Sequence, residues 1–533
     1  MRRRDFLIAA SSAVVGAGML GSTSAQTTPS TRSTLDRKTR KKRRILCNDD
    51  GHIMGSEPPL TVDHFRQMVQ GYKGTAVDAL FWCGFDREIC TYDTRVGEVA
   101  GRRFHSFKNA GDWRIHQNTQ ALIESGKCPL GTLAEVCRQQ GLDLFASVRM
   151  NSHYKIDPDS PSESKFRLDH PEYLIGCPPG YAEGSKEYAV RMGVNYARPE
   201  VRRHMAAIVV ELFERFDVDG VEMDFMRHPV FFKFHEAFEN RHHMTNMLRH
   251  IRRRRDEVSR ARNRSIELAV RVPSSIASAL RVGLDVRTWI REGLADIVIG
   301  GEGFTPFDMP FDEWVEAAKG SDCQMYGCIE GARSREPEVI RAQAMKYLKA
   351  GGDGLYLFNL YSRVAGWKEA PLFAEVTEMN RLTSLDKRYQ IDRRNYSPGT
   401  STHLSAVFDT ALAPVQLPIQ LTEDPDGRGT LVTLAVADDL QSAQSRGTLK
   451  KTQLRLEFDE NHTPGDQVEV QLNGQLLGGG EGTPLRAGAL EYDVQSPPLR
   501  HGVNSIEVRL RRRGVSLSSP LILQKVEIVV RFK

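Results

Sequence analysis

The sequence predicts an α/β protein, a (β/α)8 TIM barrel followed by a C-terminal antiparallel β-sandwich domain. Three observations predict it. From Ile45 to about Asp386, strand-like apolar runs alternate with helical patterns, the mark of a parallel sheet covered by helices. One of those runs, Gly220–Phe225, carries two acids two positions apart, Glu222 and Asp224, with Val221, Met223 and Phe225 on the other face. Such a strand suits a barrel, where the outer face packs on helices and the inner face leads to a site at the C-terminal end. Beyond about residue 403 only short alternating runs with turn signals remain, the pattern of a sandwich.

The elements follow in order. Arg3-Arg4-Asp5-Phe6-Leu7 opens the chain, a small-residue apolar run reaches Gly21, and Thr23-Ser24-Ala25 precedes Gln26. Residues 1–25 therefore read as a twin-arginine signal peptide, with the periplasm or the extracellular side of a bacterial envelope as the destination. The run is short for a span of about 20 residues, so no membrane span is expected after cleavage. Residues 26–44 read as a polar, then basic, disordered tether. The net charge of +5 is concentrated there, in Arg37, Lys38, Arg40, Lys41, Lys42, Arg43 and Arg44. The remainder is not basic, and Arg252–Arg255 reads as a solvated helix face, so nucleic acid is not expected as a partner. The eight cysteines show no metal-ligand spacing. Cys83–Cys90 is the pairing to consider if the compartment oxidises them.

Residues 45–385 are assigned to the barrel, with strands at Arg44–Asn48, Ala79–Gly84, Leu144–Met150, Gly220–Phe225, Glu267–Val272, Ile297–Gly300, Gln324–Ile329 and Leu355–Leu360. Pro199 sits at a helix start, where its missing N–H costs nothing. Val201, Met205, Ile208, Val209, Leu212, Phe213 and Phe216 then recur at helical spacing. Long segments after the second and third strands, roughly 85–128 and 154–195, are expected to wall a substrate cleft. Residues 386–402 read as a linker and 403–533 as the sandwich, with Asn473-Gly474 marking a hairpin.

The strand ends assemble a candidate site. Asp49, Asp50 and His52 follow the first strand, and Trp82 ends the second. Arg149, Asn151 and His153 follow the third, Asp224 and Arg227 the fourth. Glu302 follows the sixth strand, Glu330 the seventh, and Asn359 and Tyr361 the eighth. Glycosidic cleavage needs two carboxyl groups flanking the bond. Asp224 reads as nucleophile or base, and Glu330 as the proton donor, its pKa raised by apolar surroundings or by Asp224's charge. Glu222, deeper on the same strand, joins the catalytic set, and an interior ion pair is its blander role. Arg149 and Arg271 have the side-chain parity to face it. The other strand-end residues read as substrate contacts; Trp82, Tyr154 and Tyr361 are the candidates for stacking on sugar rings. No cofactor is called for.

Asn195-Tyr-Ala-Arg-Pro-Glu-Val-Arg202, a helix, then Val218-Asp-Gly-Val-Glu-Met-Asp-Phe-Met-Arg-His-Pro229 resembles the glycosyl-hydrolase-like ten family of barrel proteins related to glycoside hydrolases. The resemblance runs over roughly residues 44–380. Gly351-Gly-Asp-Gly-Leu-Tyr-Leu-Phe-Asn359 looks like that family's last strand. Glu222 stands where the family often has His, and His228 where it has Tyr. The resemblance implies a barrel acting on poly- or oligosaccharides. The pair from strands four and seven is similar to that of many retaining barrel glycosidases. His501-Gly-Val-Asn-Ser-Ile-Glu-Val508 resembles the closing hairpin of accessory domains in carbohydrate-active enzymes. Two other readings stay open. Arg44-Ile-Leu-Cys-Asn-Asp-Asp-Gly51 is similar to the opening of SurE-type nucleotidases, which implies a divalent-metal hydrolase built on Asp49 and Asp50. A non-catalytic carbohydrate-binding barrel is the third, favoured if Glu330 does not oppose Asp224.

Overall fold

The computed structural model describes residues 41–154, 157–180, 185–301, 309–330, 336–360, 370–392, 416–425, 427–478, 482–514 and 519–533. The twin-arginine segment, Glu302 and Tyr361 lie outside them. No described helix is long and apolar enough to cross a membrane.

Eight parallel strands form the first part: β1 (Ile45–Asp49), β2 (Val77–Asp86), β3 (Asp143–Arg149), β4 (Gly220–Asp224), β5 (Glu267–Val272), β6 (Ile297–Gly300), β7 (Gln324–Glu330) and β8 (Gly354–Phe358). Each pairs with the next in sequence, and β1 also pairs with β8 through Ile45 opposite Leu355, which closes the ring. Leu46, Phe81, Phe145, Ala269, Ile297, Tyr326 and Tyr356 fill the interior. Phe81 and Phe145 stack there with centroids 4.4 Å apart. Gly220 makes room for them, since a Cβ at that position would sit 2.2 Å from the Phe145 ring. The side chains of opposite parity pack outward on helices such as Pro199–Arg215, which begins at Pro199 and buries Val201, Met205, Ile208, Val209, Leu212 and Phe213.

The floor of the barrel corrects the expected tether. Arg43 is buried, its Nε donating to Asp143 at 2.7 Å and its Nη2 to Glu267 at 2.6 Å. Arg44 pairs with Asp78 at 3.0 Å. These acids open β3, β5 and β2, and without a cation they would crowd the floor with like charge. The Arg252–Arg255 run is likewise not simply solvated: Arg255 is buried, and both end residues pair with Asp296, at 2.8 and 3.3 Å. All eight cysteines are free thiols, so Cys83 and Cys90 are not joined.

The second part is two antiparallel sheets. One contains Lys387–Asp392, Leu521–Phe532, Leu449–Phe458, Ala489–Val494 and Thr483–Arg486 in that order, with Ile419–Leu421 also on Leu521–Phe532. The other runs Thr430–Val436, Gly502–Arg512, Gln467–Leu472 and Gln475–Leu476. Asn473 and Gly474 both take positive φ, 50° and 82°, between two paired strands, the I′ turn expected of Asn-Gly. The start of the expected linker is instead a strand, Lys387–Asp392, whose Lys387, Tyr389 and Ile391 are buried. Tyr389 donates to Asp438 at 2.8 Å and Lys387 pairs with the same carboxylate at 3.0 Å. That alternation satisfies a sheet, which a free linker could not exploit.

Candidate active site

The pairing register sets Arg149, Asp224 and Arg271 side by side across β3, β4 and β5. All three point inward at the C-terminal end of the ring. Asp224 is buried and held from two sides. Arg271 donates from Nε to Oδ1 at 3.0 Å and from Nη2 to Oδ2 at 2.5 Å, and the Met226 N–H donates to Oδ1 at 2.8 Å. A carboxylate can accept about four hydrogen bonds, so Oδ2 keeps capacity for a substrate atom. The Arg271 guanidinium lies 3.9 Å over the Phe358 ring, which locks its fork in place.

Glu222 sits one layer down, fully buried, with Ser147 donating to Oε2 at 2.5 Å. Its carboxyl is pushed up to about 7, by burial first and by Asp224's charge second, against the opposing pull of Arg271. Arg271 therefore chooses Asp224 over Glu222, and Glu222 is the acid that takes up a proton. Arg149 is drawn off to the rim by Asp50 at 2.9 Å and Asp86 at 3.3 Å. Glu330 ends β7, buried, and accepts from Asn359 Nδ2 at 3.2 Å. Asn359 holds that position from a positive φ of 57° just after β8. The two acids come from strands three places apart on one ring, and both face its mouth.

The proton on Glu222 has a consequence for stability. Its folded pKa lies above the unfolded value of 4.5, so the folded state binds the proton more tightly. Stability from this group is therefore greatest at low pH and falls as pH rises from about 4.5 to about 7. Glu222→Gln is expected to stabilise the protein at pH 8 by about 1–3 kcal/mol and to change little at pH 4.5. Thermal melts of both proteins across that range check it. An equal shift at both ends would mean that the proton is not the cause.

Several expected contacts are spent on the scaffold. β1 runs one residue further than expected, so Asp49 shares the outward parity of Ile45 and Cys47. Its Oδ1 accepts from Gly51 N at 2.8 Å and meets His52 Nδ1 at 2.9 Å. Burial opposes the charge on that imidazole, but Asp49's hydrogen bond and charge raise its pKa. Trp82 also faces outward and is buried, with its ring close beneath Gly51 and Gly84, so it offers no stacking face. Asn151 uses its full capacity: Nδ2 donates to Val194 O and Val230 O, while Oδ1 accepts from Ser152 N and Val194 N. His153 is buried against His228, centroids 5.2 Å apart, with Nε2 on Val230 O at 3.0 Å. Burial pushes His153 down to about 3, so it stays neutral and structural.

What remains at the mouth is Asp224, Glu330, Asn359, Arg149 with Asp50, and Arg227, whose Nη2 donates to the Tyr154 hydroxyl. The sequence reading missed Asp86, Arg87 and Ser147. Ser147 shares inward parity with Arg149 and was legible in principle. Among the described residues no cluster of three His, Cys, Asp or Glu side chains has the arrangement to hold a metal ion.

No family model matches the chain, and no curated protein does. The solved structures to which it is similar include these three. The GH36 alpha-galactosidase of Geobacillus stearothermophilus shares 11% identity over 92% of this chain and 56% of that one, TM-score 0.36. The alpha-amylase of Geobacillus thermoleovorans shares 10% over 88% and 99%, TM-score 0.37. The maltogenic alpha-amylase of Thermotoga neapolitana shares 11% over 90% and 98%, TM-score 0.37. The chain spans just over half the length of the alpha-galactosidase. At these identities and overlaps the likeness does not decide the reaction.

Proposed function

We propose that this chain is an exported hydrolase of glycosidic bonds in poly- or oligosaccharides, working with two carboxyl groups. The observation that carries the reading is Asp224, an inward carboxylate at the end of β4, fixed by Arg271 with one oxygen still able to accept, on the same ring mouth as Glu330. Asp224 acts as nucleophile or base and Glu330 as the proton donor, with Asn359 orienting Glu330. Arg271 is a positioning residue. Carboxyl groups about 5–5.5 Å apart would retain the anomeric configuration, and about 6.5–9.5 Å would invert it.

The metal-dependent reading loses its geometric basis. Asp49 faces the helices and is tied to its own turn, and Asp50 is paired with Arg149, so the two do not converge on one point. The test is release of new reducing ends from a panel of polysaccharides, with and without EDTA. Release that survives chelation supports the two-carboxylate reading; loss on chelation would return the metal reading to favour.

Export rests on Arg3-Arg4 ahead of Phe6-Leu7. Replacing both arginines with lysine is expected to leave the precursor in the cytoplasm, read by fractionation and immunoblot. Unchanged secretion would overturn the twin-arginine assignment.

A further inference from the structure

The cations around the mouth are unevenly matched. Arg149 is shared by Asp50 and Asp86, Arg271 is held by Asp224, and Arg167 is held by Glu88 at 2.6 Å. Arg227 is half-buried and, among the described residues, has no carboxylate partner; its one hydrogen bond goes to the Tyr154 hydroxyl. Its Nε is buried without an acceptor. Arg87 is in a similar position, with a buried Nε that has no acceptor and a carboxylate, Glu163, no closer than 3.7 Å. Glu163 is itself lifted to about 7, chiefly by burial, so near neutrality it is only partly ionised beside Arg87.

Both guanidiniums converge on one side chain. The Arg87 Cζ lies 5.4 Å and the Arg227 Cζ 5.7 Å from the centre of the Tyr154 ring. Arg87 is brought there by a two-residue turn in which it and Glu88 take φ of 52° and 61°. That region is costly for residues other than Gly, Asn or Asp, yet the turn is held, with Glu88 anchored on Arg167. Two partly desolvated guanidiniums packed against one ring are unfavourable unless negative charge compensates them. An oxyanion that presents two adjacent oxygens is the group that their forked donors match best.

We propose that the mouth takes an anionic saccharide, with Arg227 and Arg87, arranged about Tyr154, binding a carboxylate or sulfate group on the sugar. This rests on the mouth being a saccharide site and names its substrate class. A neutral sugar would leave Arg227 without a carboxylate partner among the described residues and Arg87 with only the 3.7 Å contact to Glu163.

The test is titration calorimetry on full-length protein carrying Glu330→Gln, which blocks turnover and leaves the Asp224–Arg271 pair in place. Three hexasaccharide probes are compared: an oligouronate, its carboxyl-reduced neutral counterpart, and a sulfated neutral oligosaccharide. At least tenfold tighter binding of one anionic probe than of the neutral one is expected, weakening with salt. The anionic probe that binds tells whether the group is a carboxylate or a sulfate. Arg227→Gln should abolish that preference, and Arg227→Lys should keep its salt dependence. Equal binding of the neutral probe, no effect of Arg227→Gln, or no binding of any probe would overturn the proposal. Selective, Arg227-dependent binding without turnover by the unmodified protein leaves this inference standing and defeats the hydrolase reading. Turnover of neutral glycans with no anionic preference defeats this inference alone.

Discussion

Asp224→Asn is expected to lower turnover of a true substrate on the order of 10⁴-fold, the scale seen when a member of a catalytic set is removed. The amide keeps an acceptor for Arg271 but loses the charge that would attack the anomeric carbon or activate water. Initial rates of reducing-end release, on protein whose fold is verified by circular dichroism, check it. Because the pair with Arg271 is buried and bidentate, some stability should be lost along with the activity. A variant that keeps near-normal rates would remove Asp224 from the chemistry.

The largest stability effect is expected at Arg271. Arg271→Met keeps an unbranched apolar stem but removes the guanidinium, and so leaves Asp224 and Glu222 as two buried acids without their cation. Breaking a buried pair by removing one partner costs about 3–5 kcal/mol, and chemical denaturation should show a loss of that size at pH 8. The loss should shrink as pH falls, because Glu222, whose carboxyl burial already pushes up to about 7, then holds its proton. Arg271→Met combined with Asp224→Asn should recover part of it. A single variant as stable as the parent would mean that the pair contributes nothing net.

The eight barrel strands were legible because each is a compact apolar run bounded by turn residues, and because parity alone puts Glu222 and Asp224 inside. Parity also admitted Arg149 and Arg271, but not their partners. The register places both arginines beside Asp224, and only the rim acids Asp50 and Asp86 draw Arg149 away. Asp49 was misread because one extra strand residue turns it to the helix side. Trp82 was misread for the same reason of parity. The Arg87-Glu88 turn gave no signal, since two-residue turns of this kind are ordinarily announced by Asn-Gly. Lys387–Asp392 is not legible as a strand in the sequence because a six-residue alternation shows itself as one only beside its partner, Leu521–Phe532.

The account turns on one geometry, and a crystal structure of the Asp224→Asn protein with an oligosaccharide bound tests it most directly. The prediction is a glycosidic oxygen about 3 Å from the Glu330 carboxyl, with the anomeric carbon of the same sugar facing position 224 at the end of β4. A saccharide seated away from the ends of β4 and β7, or held by the sandwich domain alone, would contradict it.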